Sequence, residues 1–405
     1  MSGNVVPPRS TVTLGNVDGN LEVGDHSIVK GAGTPPKVSV SGTVYAGGEC
    51  TFESSLSAEN IDGEDGIIVK GDLEVRNRVK VEDGRLLVMG NMTAKRVDVD
   101  DSLRVEKDLK SEEVSVGGSL EVDGNTTAEK IDIGGTFRAK GLVTVECVDV
   151  GGSVKVDSEA HIGDIDVGGT VQVEGGKVGR VDVGGSFLSK DSLEFERINV
   201  GGTVKLVGKS TGGDIDVGGS CEVEGDLKFG DIDVGGVLSI SGSAEGGGSD
   251  VGGVVNVGEN MKLAGKLDVG GTVEVDGELA AQTIDIGGKL RAHKATADGH
   301  VSVGGLIETT DGVYATHVEI GKRGEVKGLI KAKEALISRG AKVEDVHASI
   351  ITLERGAKAR NLYGDKIRLE PDCHVYGEVQ YTESLETERG TSLAKAPLKV
   401  DKLPG

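Results

Sequence analysis

The residues of this 405-residue chain best spaced for chemistry are aspartates. Asp132, Asp149, Asp166, Asp182, Asp216, Asp233, Asp250, Asp268 and Asp285 each stand two residues before the first glycine of a Gly-Gly pair. Asn199 takes that place once, and Ser115 and Ser302 take it at the ends of the series. One carboxylate per repeat, stacked at strand spacing, could form a linear cation site or an acidic docking face. The same column is also what an outward strand position carries to keep a protein soluble and to discourage sheets from aggregating side by side. Calcium-binding solenoids use GGxGxD nonapeptides, whereas here the acid precedes the glycines and comes once per repeat. Ordered calcium is therefore not the expectation.

Other constellations fail sooner. His300 and His317 share a repeat position, but no third ligand of similar register accompanies them. Cys50, Cys147, Cys221 and Cys373 lie far apart without a CxxC pair, which predicts inert thiols in a reducing compartment. The glycines are not a phosphate loop, because no GK[ST] follows and the pairs open strands rather than helices. Runs such as Gly184-Gly185-Ser186-Phe187-Leu188-Ser189 lack the nucleophile-elbow pattern. The sequence predicts no catalytic, cofactor-binding or metal-ligating residue, hence no enzyme, no cofactor and no small-molecule substrate.

What positions the aspartates is a repeat. The first glycines of the pairs are Gly117, Gly134, Gly151, Gly168, Gly184, Gly201, Gly218, Gly235, Gly252, Gly270, Gly287 and Gly304. Nine of the eleven intervals are 17 residues, one is 16 and one 18. Such constancy belongs to coils that stack on one another, since loop lengths in a sandwich vary. Around each pair the residues alternate apolar and polar, as in Ile165-Asp166-Val167-Gly168-Gly169-Thr170-Val171-Gln172-Val173. Period two on both sides of the glycines predicts two short strands meeting at a corner. Glycine suits the corner for two reasons, positive φ and close approach of neighbouring backbones. A third strand, such as Leu142-Val143-Thr144-Val145, completes a triangular coil.

Irregular coils extend the repeat at both ends. Upstream, corners are expected at Val17-Asp18-Gly19, Val40-Ser41-Gly42, Gly63-Glu64-Asp65-Gly66, Asp83-Gly84 and Asp100-Asp101, with loop insertions, one containing Pro35-Pro36. Downstream, the corner changes to Arg323-Gly324, Arg339-Gly340, Arg355-Gly356, Pro371-Asp372 and Arg389-Gly390. The expected organisation is an N-terminal tail (1–10), irregular coils (11–98), the regular repeat (99–310), variant coils (311–393) and a C-terminal tail (394–405). At about 17 residues per coil and about 4.8 Å between strands, roughly 22 coils would make a rod about 105 Å long. Helical periodicity is weak throughout; Glu325 to Ser338 comes nearest, and Gly328 and its place in the repeat favour strands there. The fold class is thus all-β, a single elongated β-helix with three short strands per coil.

Composition agrees. Glycine is 67 of 405 residues, aromatics are 2% and tryptophan is absent, which suits a thin core of valine and isoleucine. The formal net charge of -22 repels phosphates and excludes nucleic acid as a partner. The few scattered aromatics argue against stacking on sugars. The N-terminal MSGNVVPPRS carries no basic-then-apolar signal, and no apolar run reaches the ~20 residues of a membrane helix. A cytoplasmic protein is expected.

The variant coils carry a resemblance. Val318-Glu319-Ile320-Gly321-Lys322-Arg323-Gly324-Glu325-Val326-Lys327-Gly328-Leu329-Ile330 and Ala335-Leu336-Ile337-Ser338-Arg339-Gly340-Ala341-Lys342-Val343 resemble the bactofilins, polymer-forming cytoskeletal proteins. The resemblance is closest over 318–391 and is one of architecture elsewhere. It implies a right-handed β-helix that assembles end to end, without nucleotide, into nonpolar filaments. It also implies a cytoplasmic scaffold for cell shape or protein positioning, whose partners are itself, scaffolded proteins or a membrane surface. The chain departs from the family in length, and its N-terminus lacks the apolar or basic character of a membrane anchor. A non-polymerising β-helix subunit of an enzyme complex is the alternative.

Overall fold

The computed structural model describes residues 4–404. Every regular element among them is a β-strand, and the strands pair in parallel. The chain divides into two compact units, Met1–Gly201 and Gly202–Gly405. Each is a β-solenoid, and together they hold about 23 turns, roughly 17 residues apart.

In the first unit each coil contributes one strand to each of three sheets. Sheet A holds the strand before the corner (Arg96–Val99, Glu113–Val116), sheet B the strand after it (Ser102–Val105, Ser119–Val122), and sheet C the short third strand (Leu109–Lys110). From Thr126–Ile133 onward the third strand runs straight into the sheet A strand of the next coil. Identical positions pair down each sheet: Val97 with Val114 with Ile131 with Val148 in A, and Leu103 with Leu120 with Phe137 with Val154 in B. These side chains point inward and are almost wholly buried. Each buried aliphatic contributes about 1.5–3 kcal/mol against the entropy of ordering its coil. The core is therefore a set of stacked aliphatic columns.

The glycine pairs owe their place to close approach alone. None of them has positive φ. A Cβ added at Gly151 would lie 2.5 Å from the carbonyl oxygen of Gly134, and one at Gly168 2.6 Å from that of Gly151. Neighbouring corners are drawn together by backbone hydrogen bonds, such as Gly151 N–H to Ile133 O at 2.9 Å and Gly152 N–H to Gly135 O at 3.0 Å. Of the two reasons for glycine, the left-handed conformation falls away.

Another corner of the first unit is closed by side chains. Asp72 Oδ1 accepts Asn91 N–H at 2.7 Å, Asn91 Oδ1 accepts Asp108 N–H at 3.3 Å, Asp108 Oδ1 accepts Asn125 N–H at 2.8 Å, and Asn125 Oδ1 accepts Leu142 N–H at 3.0 Å. Each short polar side chain thus satisfies a backbone donor one coil on, where a turn leaves it without a strand partner.

Two expected corners near the N-terminus lie elsewhere. Asn16–Val17 pairs with Lys37–Val40, which pairs with Ser55–Ala58, so Val17-Asp18-Gly19 and Val40-Ser41-Gly42 follow sheet C. Sheet A contains Leu21–Val23 and Thr43–Ala46 instead, and its corners are Gly24-Asp25 and Gly47-Gly48. Both kinds of corner follow an alternating strand and contain glycine, so alternation alone does not separate them. The Pro35-Pro36 segment is an inserted loop between Ile28–Gly31 and Lys37–Val40. The expected tails are partly built into the coils: Asn4–Val6 pairs with Leu21–Val23, and Leu398–Lys399 pairs with Gln380 and Tyr381.

The second unit repeats this plan through Leu306 and then changes its corner. Glu325–Ile337, Lys342–Leu353 and Lys358–Leu369 are long strands, so Glu325 to Ser338 is not helical. Their corners are tight turns in which Gly324, Ala341 and Ala357 donate back to Gly321, Ser338 and Glu354 at 2.9–3.0 Å. Positive φ falls on the third turn residue, which is Arg323, Gly340, Gly356, Asp372 and Gly390 in turn. This is the type II pattern, and Pro371 occupies the second position that proline favours. Arg323 is therefore the counterpart of Gly340, one residue out of step with the expected Arg-Gly alignment.

Candidate functional site

The structure places the sequence-marked aspartates in register on the outer surface of sheet A. In the first unit Asp132, Asp149, Asp166 and Asp182 pair successively, ending on Asn199. In the second, Asp216, Asp233, Asp250, Asp268 and Asp285 do the same, ending on Ser302. One end of each column is neutralised: Lys130 stands 3.7 Å from Asp132, and Lys266 lies 2.8 Å from Asp268 and 3.2 Å from Asp285. His300 lies 3.0 Å from Asp285. Among the described residues no ion pair reaches Asp149, Asp166, Asp216, Asp233 or Asp250. Like charges at strand spacing disfavour ionisation, and Asp233 shows it. Its carboxyl is raised above the usual aspartate value, first by partial burial and then by Asp250 and Asp216.

Sheet B is built the opposite way. Arg104 reaches Glu121 at 2.7 Å and Asp123 at 3.3 Å, Lys140 reaches Asp123 at 2.6 Å, and Lys155 reaches Asp157 at 2.9 Å. Opposite charges meet both within a coil and between coils, so this face neutralises itself. The carboxyls of Asp123 and Asp157 are held below the usual value, chiefly by hydrogen bonds from Lys140 and Lys155. One face is thus laced by ion pairs and its neighbour carries a column of a single sign.

The remaining candidates are dispersed. His300 and His317 are in register, as the spacing predicts, but each faces its own carboxylate, Asp285 and, at 3.3 Å, Glu334. No group of three or more His, Cys, Asp or Glu among the described residues is arranged to hold a metal ion. The four cysteines are free thiols; Cys50, Cys221 and Cys373 are buried and Cys147 is half-buried. Burial pushes the Cys221 thiol up to about 12. The concave surfaces are shallow and charged, such as the groove lined by Arg78, Arg96, Glu113 and Lys130. No helix among the described residues is long and apolar enough to cross a membrane.

A repeat array without an evident capping helix is expected to leave unpaired strand edges at its two ends, and the described ends have them. At the N-terminal end Asn4–Val6, Thr11–Leu14 and Asn16–Val17, one strand per sheet, pair on one side only among the described residues. At the C-terminal end Ser384 to Thr387, Ser392–Leu393 and Leu398–Lys399 do likewise, again one per sheet. Val12 at one end and Leu385 and Leu393 at the other are half-exposed although the residues they stack on, Val29, Ile367 and Val375, are buried; Leu14, which stacks on Gly31, is half-exposed too. Leu385 stacks on Ile367, which is 1% exposed. Comparison of the chain with protein-family models, with curated proteins and with solved structures gave no match.

Proposed function

We propose that this protein is a structural, non-enzymatic subunit that joins copies of itself end to end into filaments without nucleotide and serves as a scaffold. The observation that supports it is the pair of open terminal coils. Each presents, among the described residues, three strand edges unpaired on one side, one per sheet, together with aliphatic side chains that an added coil would bury. Unpaired edges invite strand addition, and a solenoid ordinarily blocks this with a cap. No capping helix covers either end among the described residues. The resemblance of the 318–391 coils to bactofilins favours the same reading and implies like-to-like joints. Function on this reading resides in the end coils, and the regular repeat sets spacing.

Leu14→Lys and Leu385→Lys test it. Each should place a charge in one joint while leaving strand content by circular dichroism unchanged. With like-to-like joints, sedimentation at about 500 mM salt, where lateral charge contacts are screened, should find each single variant arrested as dimers and the double variant as monomers. Long polymers in both single variants would remove these coils from the joint. Wild-type particles of one small size, purifying with fixed partners, would instead favour a subunit of an enzyme complex.

A further inference from the structure

Charge is divided unevenly along the chain. Of 45 Lys and Arg and 67 Asp and Glu, residues 311–405 hold 16 and 15, so all of the acidic excess lies before them. In the second unit, cations gather along the corner between sheets A and B. Lys322, Arg323, Arg339 and Arg355 belong to the stacked type II turns, and Lys342 and Lys358 follow them, paired in register, at the start of sheet B. Arg355 is held by Asp372 at 3.2 Å. Among the described residues, Lys322, Arg323, Arg339, Lys342 and Lys358 make no ion pair. Two turn carboxylates nearby are already engaged by backbone: Glu354 accepts Arg339 N–H at 2.9 Å and Glu370 accepts Arg355 N–H at 3.1 Å. Glu325 stands in register with Lys342 and makes no ion pair among the described residues.

This ridge advances by one coil per step, and so does the acidic column on sheet A, where Asp216, Asp233 and Asp250 are likewise unpaired. Two charge rows drawn from one repeat share the strand spacing of about 4.8 Å, so a contact in register at one coil stays in register over the next. Sheet B, neutralised by its own pairs, does not compete for the ridge. Arginine forks suit carboxylates that are fixed in a row. We propose that the Lys322–Lys358 ridge of one molecule docks side by side on the Asp216–Asp250 column of a second copy. The contact is lateral and does not depend on the end-to-end joint.

The test uses the full chain carrying Leu14→Lys and Leu385→Lys, so that end joints are blocked, followed by sedimentation velocity. Self-association is expected at about 50 mM salt and its loss by about 500 mM, where screening is short-ranged. Arg339→Glu with Lys342→Glu should weaken it by about tenfold or more, and so should Asp233→Lys with Asp250→Lys. An equimolar mixture of the two reversed proteins should recover it. In the wild-type background the same reversals, viewed by electron microscopy, should separate paired filaments without shortening them, which distinguishes failure of this contact from failure of the end joints. No association at low salt, or no recovery on mixing, overturns the proposal. So does a ridge reversal that abolishes binding to phosphatidylglycerol vesicles while self-association is unchanged, since the ridge would then serve an anionic membrane.

Discussion

Replacing one glycine of a corner pair separates the two reasons a solenoid can need glycine. At Gly168 the Cβ of alanine would lie 2.6 Å from the Gly151 carbonyl oxygen in the preceding coil. Carbon–oxygen contacts ordinarily settle near about 3.3–3.6 Å, so the corner must open by roughly an ångström or the backbone must shift. The bonds that resist this are Gly168 N–H to Val150 O at 3.1 Å and Thr170 N–H to Gly152 O at 3.3 Å. Overpacking of this kind costs about 1–3 kcal/mol. Gly356 offers the opposite case: its φ is +71°, and nothing lies within 4 Å of an added Cβ. Alanine there costs only the left-handed conformation, about 1–2 kcal/mol, and asparagine, which visits that region readily, should recover most of it. Asp372 and Arg323 already occupy equivalent positions with φ of 63° and 59°. Alanine and asparagine at each site therefore form a four-variant set. Because repeat arrays do not melt as one unit, the assay is amide hydrogen exchange at the affected coils, where local opening is read directly. Gly356→Asn should exchange nearly as wild type does, and Gly168→Asn at least as fast as Gly168→Ala. If asparagine rescues Gly168 as it rescues Gly356, the close-approach account of the glycine pairs is wrong.

The two charged faces should respond to pH in opposite senses. Asp233 has its pKa raised by partial burial and by Asp250 and Asp216, so folding favours its protonated form and its penalty at neutral pH is relieved as pH falls through the raised value. Asp233→Asn should stabilise the second unit at neutral pH. Asp123, lowered chiefly by Lys140, contributes stability above the ordinary aspartate value that is lost as pH falls through its depressed one, so Asp123→Asn should cost stability at neutral pH and little in acid. Carboxyl titrations by NMR, run beside melting curves, check both signs. Thiol alkylation of the native protein should proceed first at Cys147, the half-buried thiol, and last at Cys221; rapid labelling of Cys221 would contradict its burial. Asn125→Ala removes the acceptor of Leu142 N–H and should cost about 1 kcal/mol, seen as faster exchange of that amide.

Much of this architecture could be read from spacing because one coil of a solenoid is a local object. The interval between glycine pairs, the alternation around Ile165 to Val173 and the shared position of the aspartates each translate into a strand, a corner or a column without knowledge of distant contacts. Reading failed where a pattern serves two places. Val17-Asp18-Gly19 looks like the glycine-pair corner but follows another sheet, and only the pairing of Leu21–Val23 with Thr43–Ala46 separates them. The asparagine and aspartate column from Asp72 to Asn125 was visible at 17 to 19 residues per step, yet its role depends on which backbone donors a turn leaves unpaired, and alternation does not carry that. The offset of Arg323 against Gly340 needed φ angles. The uncapped ends follow from the repeat itself, but the degree of exposure does not: Leu385 and Ile367 have the same apolar character, and they differ in that no strand among the described residues pairs on the outer side of Leu385.

The most direct test of the account is negative-stain electron microscopy of the purified wild-type chain, with no nucleotide added, across a range of protein concentration. Open terminal coils predict filaments that lengthen with concentration and are lost in the Leu14→Lys, Leu385→Lys double variant. Single, unjoined particles of the wild-type protein at every concentration would contradict it.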